Sequence, residues 1–61
     1  MKKEELTKYL NKRIKIFLKN NNIFYTGSIQ ELGEESLILL DKYDKDVILS
    51  LDCISHIEVQ R

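Results

Sequence analysis

A chain of 61 residues with one cysteine, Cys53, and one histidine, His56, excludes an internal disulfide and a Cys/His structural zinc site, two of the staples that domains near this size limit often need. On size grounds, self-association is the stabiliser that remains. Ten basic and ten acidic residues cancel, so no global field draws a polyanion and any nucleic-acid contact must come from a local patch.

The first predicted element is a helix from Lys2 to about Asn11. Leu6, Tyr9 and Leu10 fall at i, i+3 and i+4, while Lys3, Glu4, Glu5 and Lys8 take the other face. Glu4 and Glu5 near its start, and Lys12 and Arg13 just past its end, suit the helix dipole. About three turns with one narrow apolar stripe do not persist alone, so this helix must lie on a sheet.

Five strands are predicted between about residues 13 and 59, making residues 1–61 a single domain. From Arg13 to Lys19 the alternation is clean, with Ile14, Ile16 and Leu18 on one face and Arg13, Lys15, Phe17 and Lys19 on the other. Asn20-Asn21-Asn22 reads as a hairpin turn, because Asn tolerates the left-handed conformation. The stretch Ile23–Leu32 is too long for a flat strand, and its apolar residues change parity: Ile23, Tyr25 and Ile29 share one, Phe24 and Leu32 the other. Gly27 in its middle marks a bend or the close approach of another backbone. A strongly bent second strand is how a short sheet curls into a barrel.

Gly33-Glu34-Glu35 is an acidic turn, and Ser36–Leu40 is an apolar run of the kind expected for a strand covered on both sides. Residues 41–46 read as a polar loop. Their three aspartates suggest calcium only superficially, since the loop has no glycine at the turn and no distal bidentate Glu at the required spacing. Val47–Leu51 and Cys53–Val59 form a last apolar pair separated only by Asp52, too abrupt for a hairpin, so the chain is expected to kink there and switch sides of the sheet. Cys53 is expected to be a small buried hydrophobe.

A helix followed by five short strands, with a bent, glycine-marked second strand and a sharp fourth-to-fifth junction, resembles the order of the Sm-like (LSm) proteins. Arg13-Ile-Lys-Ile-Phe-Leu-Lys, the Gly27-Ser-Ile run and Leu37-Ile-Leu-Leu look like the first Sm motif, and Val47–Leu51 with Ile54-Ser-His-Ile57 resembles the second. Within that family the chain is most similar to the bacterial and archaeal Hfq branch, where Ile16-Phe-Leu-x-Asn, Ile38-Leu-Leu and Ile54-Ser-x-Ile recur in this order.

The fold that the resemblance implies is mostly β with one N-terminal α-helix, a strongly bent five-stranded antiparallel barrel of the Sm-like (SH3-like) kind. It also implies that the fourth strand pairs with the fifth strand of a neighbour, closing a homohexamer or homoheptamer and satisfying two sheet edges. Sm proteins build a central uridine site from an Asp, an aromatic and an Asn after strand two plus an Arg-Gly-Asp-type turn, and Hfq uses Tyr-Lys-His at that turn. Here the matching loops are Gly33-Glu34-Glu35-Ser36 and Ser50-Leu51-Asp52-Cys53. The central positions Glu35, Ser50 and Asp52 thus offer no aromatic for a base and no cation for a phosphate. On the opposite, distal face of Hfq a strand-one aromatic stacks purines. Phe17 is similar to it by position, between Lys15 and Lys19, and Ile23, Phe24, Thr26 and His56 fall at or near other positions of that surface. Lys12 and Arg13 would form a basic rim.

Each of these residues also has a plainer reading. Phe17 competes as an exposed or interface aromatic, Lys15 and Lys19 as a solvated strand face, His56 as an ordinary strand-surface residue, and Tyr43 as loop packing rather than a contact to RNA or a partner. Glu34 and Glu35 are adjacent on a turn and point apart, which suits solvating charge better than paired acid–base chemistry.

The sequence shows no nucleophile–base pair, metal cluster or phosphate-cradling loop, so the expectation is a non-enzyme without cofactors. The resemblance implies a ring that binds single-stranded RNA, A- or purine-rich, through its distal face, as an RNA chaperone or post-transcriptional regulator. Two alternatives stay open: a ring of the same fold serving as a protein scaffold without RNA, and a monomeric SH3-like adaptor. No apolar segment approaches the roughly 20 residues of a membrane span, and Met1-Lys-Lys-Glu-Glu lacks the apolar core of a signal peptide. The expected location is the cytoplasm.

Overall fold

Strand alternation becomes a five-stranded antiparallel sheet in the computed structural model, which describes residues 1–20 and 23–60. The strands are β1 (Arg13–Leu18), β2 (Phe24–Leu32), β3 (Ser36–Asp41), β4 (Asp46–Ser50) and β5 (Ile54–Val59), in the spatial order β4-β3-β2-β1-β5. The turn expected at residues 20–22 lies largely outside the described residues. Its stem is closed by the Leu18 N–H donating to the Ile23 carbonyl at 2.9 Å.

The fold is therefore mostly β with one N-terminal helix, and its sheet is not closed by hydrogen bonds: β4 and β5 are both edges. It is nonetheless strongly curled. Five strands laid flat at ~4.8 Å spacing would be ~19 Å across, whereas the four steps from Ser50 to Ile54 reach at most ~14 Å. A 3-10 turn, Leu51–Cys53, makes this crossing from one edge to the other, which is the sharp junction the sequence foretold.

Two local features produce the curl. At Gly27 an added Cβ would run into the Leu40 carbonyl oxygen and lie 2.8 Å from Asp41 Cα. Only glycine lets β3 pass this close. Two residues later the β2–β3 register slips between Ile29 and Glu31, a bulge that adds one residue to β2 and bends it. The extra residue accounts for the parity change in the sequence, because it turns both Ile29 and Leu32 towards the core.

The core follows from these parities. Ile14 and Ile16 of β1, Ile29 of β2, Leu37 and Leu39 of β3, Leu49 of β4 and Ile54 of β5 are buried together with Leu6 and Leu51. Tyr9 and Leu10 pack against this cluster from the helical segment. That segment is shorter than the predicted 2–11: α1 (Lys3–Leu6) tightens into a 3-10 turn at Thr7–Tyr9. Leu10 is already extended and bridges to Ile29, and Asn11 takes a left-handed φ of 63°. Docking on β2 ends the helix before its apolar pattern does. At its start, the Lys2 N–H donates to Glu5 Oε1 at 2.8 Å, satisfying a helix-end donor.

Two expectations about burial are corrected. Cys53 is exposed, not part of the core. In a 3-10 turn, residues three apart eclipse, so Leu51 and Ile54 both face inward and Asp52 and Cys53 between them face out. Strand β3 is also not covered on both sides: Leu37 and Leu39 are buried, but Ile38 and Leu40 on its outer face are only half-buried. Ile48, opposite Ile38 on edge strand β4, is 71% exposed.

Candidate functional site

On the outer face of the sheet, β1 lies between β2 and β5, so each outward side chain of β1 has a neighbour on either side. The register sets Lys15 between Thr26 and Glu58, and Phe17 between Phe24 and His56. These pairs bring three predicted rings into one row. Phe17 and His56 stack with centroids 4.3 Å apart and planes 10° apart, and Phe17 meets Phe24 at 5.7 Å with a tilt of 44°. The Lys15 ammonium sits 4.2 Å from the Phe24 centroid and 5.5 Å from that of Phe17.

The row is held by its own contacts. Aromatic pairs contribute ~0.5–1.5 kcal/mol beyond their burial, and a cation over an exposed ring ~0.5–1 kcal/mol. The Ser55 hydroxyl lies 3.2 Å from His56 Nδ1 and steadies the imidazole. Phe17 is half-buried in the middle of the row, whereas Phe24 is 47% exposed at its end. The result is a preformed aromatic row with an ammonium over the Phe24 ring, a combination of π surface and positive charge that suits flat rings carried on a polyanion.

The other predicted residues fall around the platform. Ile23 is exposed just before β2, and Lys19 is exposed after β1, where its N–H donates to the Cys53 carbonyl at 2.9 Å. Arg13 is exposed at the far end of β1, opposite Ser28, and lines a cavity of ≈ 400 Å³ with Asn11, Leu40, Asp41, Lys42 and Asp44. Lys12 is exposed beside it. Comparison with protein-family models, with curated proteins and with solved structures finds no match to this chain. A short helix followed by five antiparallel strands is consistent with the Sm-like topology.

Glu35, Ser50 and Asp52 converge at a different place. Ser50 pairs with Ser36, and the Leu51 N–H donates to the Glu35 carbonyl at 2.9 Å, joining the two acidic turns. Lys3 Nζ reaches Glu34 Oε1 at 3.4 Å, an exposed ion pair of the kind that contributes at most ~1 kcal/mol. These contacts fix the turns, and the charge they gather is mostly acidic.

Among the described residues no group of three or more His, Cys, Asp or Glu side chains could hold a metal ion. The aspartates of the β3–β4 loop have another use. Asp41 Oδ1 accepts the N–H groups of Tyr43 and Lys45, each at 2.9 Å, and Asp44 turns the chain with a φ of 61°. Sequence reasoning missed Glu58 and Ser28 on the outer face. It also missed a second cavity, of ≈ 220 Å³, between the start of β2 and this loop. Parity alone would have found Glu58, which shares a face with His56; the cavity needed the register.

Proposed function

We propose that this chain is a small Sm-like RNA-binding module that takes single-stranded RNA, A- or purine-rich, on the outer face of β1, β2 and β5, as an RNA chaperone or post-transcriptional regulator. The observation that carries the reading is the row His56–Phe17–Phe24 with Lys15 against it. Stacking on aromatic side chains contributes ~1–3 kcal/mol per base and tolerates sequence variation, because every base has a π face. Lys15, Lys19, Lys12 and Arg13 on or beside that face supply the local positive charge that a neutral chain otherwise lacks.

The same reading makes the chain a protomer of a homohexamer or homoheptamer joined through β4 and β5. It is supported by the two free edges and by the exposed Ile48 on one of them, since an unprotected edge invites strand pairing. A ring repeats each modest site once per subunit, and avidity multiplies them. The module acts by binding, not by catalysis, and uses no cofactor.

A second reading, a scaffold ring that holds proteins and not RNA, is favoured by the balanced charge and by the acidic turns at Glu34, Glu35 and Asp52. One experiment separates them: titration of labelled A-rich and U-rich single-stranded RNA across a salt series, with the mass of the protein measured in the same buffer. Salt-sensitive binding of A-rich RNA by a six- or seven-fold assembly supports the first reading. An assembly that ignores both RNAs at low salt supports the scaffold, and a monomer points to an SH3-like adaptor.

A further inference from the structure

The aromatic row continues past Phe24 into the ≈ 220 Å³ cavity, which is lined by Phe24, Tyr25, Thr26, Asp41, Lys42 and Tyr43. This volume falls below the ~300 Å³ at which sites for drug-sized ligands begin, and three of its six lining residues are aromatic. One flat ring suits it. Tyr43 is 68% exposed, with the Lys42 ammonium 5.3 Å from its ring centroid.

The wall formed by the β3–β4 loop is built and not slack. Asp41 Oδ1 accepts the Tyr43 and Lys45 N–H groups at 2.9 Å, and the Lys42 N–H donates to the Thr26 carbonyl at 3.0 Å. Backbone held this way spares a ligand part of the ordering cost of binding. The turn uses one oxygen of Asp41 and leaves Oδ2 as an acceptor. A carboxylate only accepts, so it favours a base edge that bears an amino donor and opposes one that bears only carbonyl oxygens beside its ring N–H. Lys42 also lines the adjoining ≈ 400 Å³ cavity, where it and Arg13 stand beside the carboxylates of Asp41 and Asp44.

We propose that this cavity is a base pocket for one unpaired nucleobase of the amino-bearing kind, adenine, cytosine or guanine, held against Phe24 and Tyr43 with its donor edge towards Asp41. The pocket deepens the RNA-binding reading and rests on it for the source of the base. It discriminates against uracil.

The test uses the full chain, its Tyr43→Ala, Asp41→Asn and Phe17→Ala variants, labelled A-rich, C-rich and U-rich single-stranded RNA, and proton NMR of the wild type with AMP, CMP and UMP. Tyr43→Ala is expected to lower A-rich and C-rich affinity about tenfold, the size of one lost stack. Asp41→Asn keeps the Oδ1 acceptor and hence the turn, but replaces the second oxygen with a donor. It is expected to reduce the preference for A-rich over U-rich RNA by about fivefold or more. AMP and CMP are expected to shift the Tyr43 and Phe24 ring signals more than UMP does. If Phe17→Ala weakens binding while both loop variants match the wild type, the pocket is overturned and the RNA reading stands. If no RNA binds yet AMP shifts Tyr43 in the wild type and not in Asp41→Asn, the pocket stands and the RNA reading falls. If no RNA binds and no mononucleotide perturbs Tyr43, both fall.

Discussion

The imidazole of His56 lies flat against the ring of Phe17, centroids 4.3 Å apart, although the two residues are on strands at opposite ends of the sequence. Strand β5 reaches β1 only because the curled sheet lets a three-residue 3-10 turn carry the chain from one edge to the other. The contact thus joins the curvature of the fold to the chemistry of its outer face, and it leaves Phe17 flanked by rings on both sides.

Phe17→Ala removes the middle of the row. The expected outcome is a folded protein whose affinity for A-rich RNA falls about 5- to 150-fold, the equivalent of ~1–3 kcal/mol for a stacking residue. His56→Ala, at the end of the row, should cost less. Fluorescence anisotropy with labelled RNA measures both, with circular dichroism to check the fold; equal affinity for Phe17→Ala and the wild type would remove this face from the site.

Gly27→Ala tests the crossing of β2 and β3. The new methyl group meets the Leu40 carbonyl and the Asp41 Cα, neither of which is a flexible side-chain end. Backbone must shift, and overpacking of this kind costs ~1–3 kcal/mol or more. In a domain near the lower size limit that is a large share of the total stability. Urea unfolding should show a clear loss in midpoint; an unchanged midpoint would mean that the strands do not pass this close.

Leu51 and Cys53 should behave oppositely though only two residues apart. Leu51 is 2% exposed, so Leu51→Ala is expected to destabilise by ~2–5 kcal/mol. Cys53 is exposed, so Cys53→Ser should stay within ~0.5 kcal/mol of the wild type. In the native monomer its thiol should react with a chromogenic disulfide reagent about as fast as in denatured protein. Slow native reaction in a monomeric sample would restore the buried assignment.

Ile48→Lys places a charge on the exposed outer face of edge strand β4. The side chain is 71% exposed in the single chain, so the fold should tolerate the change, while strand pairing with a neighbour should not. Under the ring reading, light scattering is expected to show the assembly reduced to smaller species at unchanged helix and strand content. A variant with the wild-type mass would exclude this edge from the interface.

Much of the outcome is local and was legible in the chain itself. The two faces of β1, the helical segment that must lie on a sheet, the special role of Gly27 and the abrupt passage from β4 to β5 all follow from backbone periods and from residue types with few allowed conformations. Even the bulge left a trace, as the parity change between Ile29 and Leu32. The helix end was misjudged because docking of Leu10 on Ile29, not helix propensity, sets it.

What the sequence determined alone is which side chains each strand presents to water and which to the core, since alternation is a property of the backbone of one strand. Only the tertiary structure decided which of those side chains meet. That His56 and Phe24 flank Phe17, that Cys53 turns outward while Leu51 and Ile54 turn in, and that Phe24 and Tyr43 line one cavity depend on strand register, a bulge and the pitch of one 3-10 turn. Those quantities are fixed by the fit of the whole core, in which a slip of one residue would turn every side chain of a strand to the other face.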